Sequence, residues 1–168
     1  MRVRHKYQCS FEGGPGTNVD EFPPTFEVRN PRESDGPELA SLMFDSYQGT
    51  IDYNGETLQE GVAEVKSYFE RPDWKPLLHC SFVLVSDDHI ISACLVSTGE
   101  KTPGPLISYV MTRSNFKGQG LAKAIVQRAL QTIRSAGYGG AAATVTEGNT
   151  PLEKLLVGLG FSRVDAGL

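Results

Sequence analysis

The chain has 168 residues, 39% hydrophobic and 21% charged, which is the composition of one soluble globular domain with a continuous core and too little length for two full-sized domains. No apolar run approaches the ~20 residues that a membrane-spanning helix needs, and the basic start MRVRHKYQCS lacks the apolar stretch of a secretory signal, so a cytoplasmic protein without a membrane partner is expected. A formal net charge of -4 argues against a nucleic-acid partner.

Cys9, Cys80 and Cys94 are odd in number and widely spaced, so neither a disulfide framework nor a zinc site is expected, and His5, His79 and His89 complete no metal set. The charge is uneven: residues 1–90 hold 8 Lys/Arg against 16 Asp/Glu, and residues 91–168 hold 8 against 4. One half suits a cation and the other an anion, although solvated helix faces account for each charge taken singly.

Residues 1–24 read as an N-terminal arm, with GGPG at 13–16 and FPP at 22–24 around a polar loop. Within it Val3, His5, Tyr7, Cys9 and Phe11 alternate with polar residues, a pattern for one extra edge strand. The domain proper is expected over 25–168. TFEVRN gives a short strand, and Pro37 opens a helix carrying Leu39, Leu42, Met43 and Tyr47 on one face. Thr57 and Glu60 form a capping box for a second helix with Leu58, Val62, Val65 and Phe69 as its apolar positions.

After Pro72 and Pro76, LLHCSFVLVS and HIISACLVS read as two strands joined in a hairpin at Asp87 and Asp88. The loop GEKTPGP and the strand LISYVMT follow. Leu121, Ala122, Ile125, Val126, Ala129, Leu130 and Ile133 then mark a third helix, closed by Gly137. AAATVT is a fifth strand. Thr150, Pro151 and Glu153 serve as N-cap, N1 and N3 of a fourth helix, and FSRV is a last strand. The order β-αα-βββ-α-β-α-β specifies a single α/β or α+β domain.

The segment Asn115 to Ala122 joins a strand to a helix, where the amides of Lys117, Gly118, Gln119, Gly120 and Leu121 can converge on an anion at the positive end of the helix dipole. Two glycines before a helix also make an ordinary tight turn. Other phosphate loops fail here: GxxxxGK[ST] is absent, and GxGxxG breaks at Lys123. A nucleotide kinase or an NAD enzyme therefore lacks its fingerprint.

The strand LISYV, the loop and the run Asn115-x-x-Gly118-x-Gly120 resemble the first motif of the GNAT superfamily of acyl-CoA-dependent N-acyltransferases, usually [RQ]-x-x-G-x-[GA]. Asn149, followed by a helix ending in Leu159-Gly160-Phe161, resembles its second motif. The resemblance covers about residues 25 to 165. It implies a mixed, mainly antiparallel central sheet flanked by about four helices. It implies that the pyrophosphate of acetyl-CoA rests on the amides of Phe116, Lys117, Gly118, Gln119, Gly120, Leu121 and Ala122. It implies also that the pantetheine arm pairs with the backbone of Val110 and Thr112 and meets Asn149. Lys117 and Arg113 are candidates for added positive charge, with a solvated loop cation the alternative for Arg113, and Asn149 is equally a helix cap.

The chain departs from the family pattern at three places. Asn115 replaces Arg or Gln, and Leu156 stands where a Tyr proton donor is common. The third departure is that no carboxylate lies on the strand LISYV or early in ATVT, so Glu147 and Asp52 are the candidate general bases, with solvated loop carboxylates as the alternative for each. Tyr47, Asp52, Glu56 and Tyr109, with Tyr53, are candidates for the acceptor pocket. The resemblance thus implies a metal-free N-acetyltransferase moving an acetyl group from acetyl-CoA to an amine of a small molecule or peptide. A non-catalytic acyl-CoA-binding regulator is the alternative, and a homodimer is left open.

Overall fold

The structure, a computed structural model, describes residues 2–11, 22–99 and 104–164. The expected GGPG loop at 13–16 lies outside the described residues, as do residues 100–103 of GEKTPGP. Strands β1 (Arg4–Ser10) and β2 (Glu27–Arg29) precede helices α1 (Gly36–Tyr47) and α2 (Leu58–Glu70). Strands β3 (Trp74–Pro76), β4 (Phe82–Ser86), β5 (His89–Gly99) and β6 (Pro105–Thr112) follow, then α3 (Leu121–Ser135), β7 (Gly140–Thr146), α4 (Thr150–Gly158) and β8 (Ser162–Val164). They form one mixed α/β domain around a sheet ordered β2-β4-β5-β6-β7-β1-β8, with β3 paired to β5 beyond the end of β4. Every described pairing is antiparallel except β6 with β7.

β5 explains the layering. Ile90 through Ser97 are buried, because Ile91, Cys94 and Val96 enter the core under α3 and α4, while Ile90, Ala93 and Leu95 enter the core under α1 and α2. An unbroken apolar run is what a strand covered on both faces requires. The turn at Asp87 and Asp88 has φ of 49° and 63°, the mirror-image geometry that suits the twist of a hairpin.

Four expectations are corrected. First, β1 is no edge strand: it pairs with β7 along its whole length and with β8 on its other side. The approach is so close that a Cβ on Gly140 would lie 2.2 Å from the Cys9 carbonyl oxygen. Gly140→Ala is therefore expected to lower stability by about 1–3 kcal/mol, as overpacking does, measurable by urea unfolding.

Second, LLHC is not strand. Leu78–Cys80 form a 3₁₀ turn, and the preceding residues form β3. Ser81 after that turn is buried, its hydroxyl donating to the Leu77 carbonyl and accepting from the Val96 amide, so the chain must turn to satisfy it. Third, α2 buries Gly61, Val65 and Tyr68, leaving Leu58 and Val62 exposed. Fourth, the cap of α4 is Asn149, whose side-chain oxygen accepts from the Leu152 amide, with Thr150 the first helical residue. The Thr57–Glu60 capping box forms as expected.

Candidate functional site

The site begins where two parallel strands part. β7 pairs with β6 only at Leu106 and Ile107, and β6 then continues through Thr112 without it. The register to β5 slips between Leu95 and Val96, leaving Ser108 as an extra residue on β6. Beyond that bulge the Arg113 amide donates to the Ile91 carbonyl at 2.8 Å, which makes Ser92–Thr112 a non-hydrogen-bonded pair and Ala93–Met111 a bonded one. By alternation Val110 and Thr112 turn their backbone groups away from β5, toward the gap left by β7. The Thr112 amide is taken by Ser46 Oγ at 3.1 Å. Val110 thus presents both its N–H and its C=O to the gap, and Thr112 only its carbonyl.

The gap widens into a cleft of about 1130 Å³, enough to hold most of a large elongated ligand. At one end lies the start of α3. Gly118 and Gly120 have φ of 82° and 77°, left-handed values that favour glycine, and space for a Cβ is empty at both. The first intrahelical bond runs from the Ala124 amide to the Gly120 carbonyl, so the amides of the opening turn have no carbonyl behind them.

The run of unpaired amides is shorter than the one expected to meet an anion. The amides of Phe116 and Lys117 already donate to the carbonyls of Arg113 and Ser114 in a 3₁₀ turn, which leaves Gly118 to Ala122. The chain contains no carboxylate from Gly104 to Thr146, so nothing in this segment opposes a polyphosphate. Exposed Lys123, one turn into α3, lines the cleft; its position on the helix face was the signal that could have found it. These features fit a polyanion.

The two other expected cations serve the fold. Arg113 donates to the Ile90 carbonyl and pairs with Glu38 at 3.2 Å, so it is neither a solvated cation nor free for phosphate. Lys117 Nζ donates to the Ser46 carbonyl at 2.6 Å, at the negative end of α1.

The lining away from α3 is acidic by one charge: the four carboxylates Asp52, Glu56, Glu60 and Glu64, with Tyr47 and Tyr109, stand against the three arginines Arg2, Arg4 and Arg71. Glu60 and Glu64 were not singled out from sequence, although their spacing of four puts them on one helix face. Asp52 Oδ2 accepts from Asn149 Nδ2 at 2.9 Å, and its Oδ1 lies 4.0 Å from Arg2, which also donates to the Tyr53 carbonyl and to Asn54 Oδ1. Asn149 therefore ties the loop after α1 to the start of α4 as well as capping it. Glu56 accepts from the Asn54 amide at 2.6 Å, and that bond holds its carboxyl below the usual range. Burial, with the charges of Asp52 and Glu64 added, pushes the Tyr47 phenol up.

Two expected residues fall outside the lining: Gln119, exposed on the turn, and Glu147. Glu147 is exposed, 3.8 Å from His5 Nε2, with its amide bonded to Val3. Of the two alternative candidates for the general base, Asp52 lines the cleft and Glu147 does not. Leu156, beneath the cleft, is wholly buried. Among the described residues no group of three or more His, Cys, Asp or Glu is placed to hold a metal, and no helix is long and apolar enough to cross a membrane.

The model of the Acetyltransferase (GNAT) family matches residues 42–161, and the chain belongs to that family. No curated protein matches it significantly in sequence. Its fold is similar to that of a GCN5-related N-acetyltransferase from Sphaerobacter thermophilus, with TM-score 0.70 and 18% identity over 97% of this chain and 49% of that one. An acetyltransferase from Thermus thermophilus superposes with TM-score 0.62 at 20% identity, covering 85% of this chain and 90% of that one. AAC(6')-Iy, in complex with the bisubstrate analogue CoA-S-monomethyl-acetylneamine, gives TM-score 0.60 at 15% identity over 85% of this chain and 95% of that one. At these identities the likeness is one of fold. The chain spans about half the length of the Sphaerobacter protein, at 49%.

Proposed function

We propose that this chain transfers the acetyl group of acetyl-CoA to the amine of a small molecule or peptide by direct attack within a ternary complex. The observation that carries this reading is the parting of β6 from β7 beside an amide-lined helix start, with Val110 N–H and C=O free in the gap. Acetyl-CoA, when bound, supplies a thioester carbonyl open to nucleophilic attack. The amides of Gly118 to Ala122 and the Lys123 ammonium hold its pyrophosphate. The Val110 N–H is aimed to stabilise negative charge on the carbonyl oxygen.

Direct attack is favoured over an acetyl-enzyme route because no cysteine is activated. Burial pushes the Cys94 thiol, opposite Val110 on β5, up to about 12, and it raises Cys9 and Cys80 too. A second reading, acyl-CoA binding without turnover, draws on Leu156, which puts buried hydrocarbon where many relatives have a proton donor. Incubation with acetyl-CoA and a panel of primary amines, followed by thiol release, separates the two. Amine-dependent release is expected, and tight binding with no release by any amine would favour the regulator.

The acidic wall should recruit a cationic acceptor from solution. Charge attraction through solvent reaches about 10 Å at 0.1 M salt, so its mark is a salt-dependent KM for the amine. The double variant Asp52→Asn, Glu56→Gln is expected to raise that KM several-fold and flatten its dependence on ionic strength, with acetyl-CoA affinity nearly unchanged. Steady-state rates across a salt series check this, and an unaltered KM would remove the loop from acceptor capture.

A further inference from the structure

Resting on the transfer reading above, we propose that Glu64 is the carboxylate that takes a proton from the attacking nitrogen, with Tyr109 as the positioning residue that holds it. Each of the four carboxylates lining the cleft among the described residues has a partner: Asp52 has Asn149 and Arg2, Glu56 its own loop amide, Glu60 the capping-box Thr57, and Glu64 alone of the four is held from β6, the strand that carries Val110. Glu64 accepts from a phenol, Tyr109 OH, through Oε1. Its second oxygen has no partner shown among the described residues, and Glu64 lines the cleft.

The phenol is held firmly. The Tyr109 ring packs edge-on against Tyr68 at 6.2 Å, and Tyr68 OH is fixed by the Val96 carbonyl at 2.7 Å and Ser81 Oγ at 3.2 Å. Burial, reinforced by the bond to Glu64 and its charge, pushes the Tyr109 phenol above its ordinary range, so it remains a donor at neutral pH. Tyr109 precedes Val110 on β6. The same short segment therefore presents the free amide for the oxyanion and, one phenol ring away, a held carboxylate within reach of the acceptor directly or through one water.

The proton balance is complete without another group. The acceptor enters the step as free amine, its ammonium proton already lost to water. As the new C–N bond forms, the carbonyl π pair moves to oxygen and the nitrogen becomes positively charged. The nitrogen gives one N–H proton to Glu64. The carbonyl then re-forms, the C–S bond breaks, and Glu64 returns its proton toward the departing thiolate. A carboxylic acid is a stronger acid than an alkyl thiol, so that return is downhill. One carboxylate thus covers both the missing base and the missing acid.

The charged and titratable groups around Glu64 are Tyr109 on β6, Tyr47 on α1, Glu60 on α2, Arg71 just past its C-terminus, Asp52 in the loop and Arg4 on β1. Arg71 is itself paired with Asp73 through Nε and Nη2 of its guanidinium, at 3.1 and 2.7 Å.

The test uses the whole chain and whichever primary amine of the panel gives the fastest thiol release. Glu64→Gln is expected to lower kcat by about 100-fold to 10,000-fold and to remove the fall in kcat at low pH. Its dissociation constant for acetyl-CoA, measured by calorimetry without amine, should match the wild type. Glu64→Asp should recover part of kcat, and Tyr109→Phe should lower kcat less than Glu64→Gln and shift the low-pH limb. Wild-type kcat and pH dependence in Glu64→Gln would overturn the proposal while leaving the transfer reading intact. So would a matched loss of acetyl-CoA affinity, which marks a structural role. No thiol release by the wild type with any amine would overturn both.

Discussion

Replacing Gly120 with Glu is expected to abolish the rise in melting temperature that acetyl-CoA produces. A ligand that binds only the folded state stabilises it by about 2.7 kcal/mol at one hundred times its dissociation constant, which for a chain of this size is roughly 5–10 °C. The variant acts on two links. Gly120 is the N-cap of α3 with φ of 77°, so any side chain there is strained, and the empty space beside it is where a carboxylate would meet the pyrophosphate. Strain alone lowers the baseline without touching the ligand shift. Gly120→Asn separates the effects, since Asn tolerates the left-handed region and carries no charge. The Asn variant should keep most of the shift and the Glu variant none. Equal shifts in both would place the cradle elsewhere.

The candidate cradle could be proposed from the sequence because the features that suggest it are local. Two glycines, a helix start and the want of acidic residues all stand within a dozen positions, and the fold class followed from the order of elements. What the sequence hid were features set by tertiary approach. On α2 the apolar pattern picks Leu58 and Val62, yet these are 48% and 46% exposed while Gly61 is buried, its Cβ position 3.5 Å from the Ala40 carbonyl of α1. The helices touch through glycine, and hydropathy does not rank glycine as an inward residue. Alternation in the arm found β1 but carries no information about partners, so its place between β7 and β8 could not be read.

The acceptor wall was half legible for the same reason. Asp52 stood out as a loop carboxylate, but its bond to Asn149 joins residues 97 apart in the chain. Glu64 reads as one more solvated helix charge until Tyr109, 45 residues on, is seen to donate to it. Glu147 drew notice by following the fifth strand, where a one-residue change of direction decides which side of the sheet a side chain serves. Arg113 looked like a loose cation beside the cradle, and its pairing with Glu38 depends on how α1 crosses β5 and β6.

Leu156→Ala is expected to cost about 2–5 kcal/mol of stability, the range for a buried leucine whose removal leaves a cavity. Leu156 is fully buried on α4, in the same core as Ile125 of α3 and Phe161 before β8. It also receives the turn that closes the helix, since its carbonyl accepts from the Phe161 amide at 3.0 Å. The truncation thus loosens the packing that fixes Asn149 at the other end of a nine-residue helix. At roughly 2–4 °C per kcal/mol the melting temperature should fall by about 5–20 °C. The kcat profile above neutral pH should keep its shape, because hydrocarbon at this position transfers no proton. Melting curves and pH–rate profiles of the same preparation decide the matter. A lost alkaline limb with unchanged stability would mean that α4, rather than Glu64 on the facing wall, governs the proton of the departing thiolate.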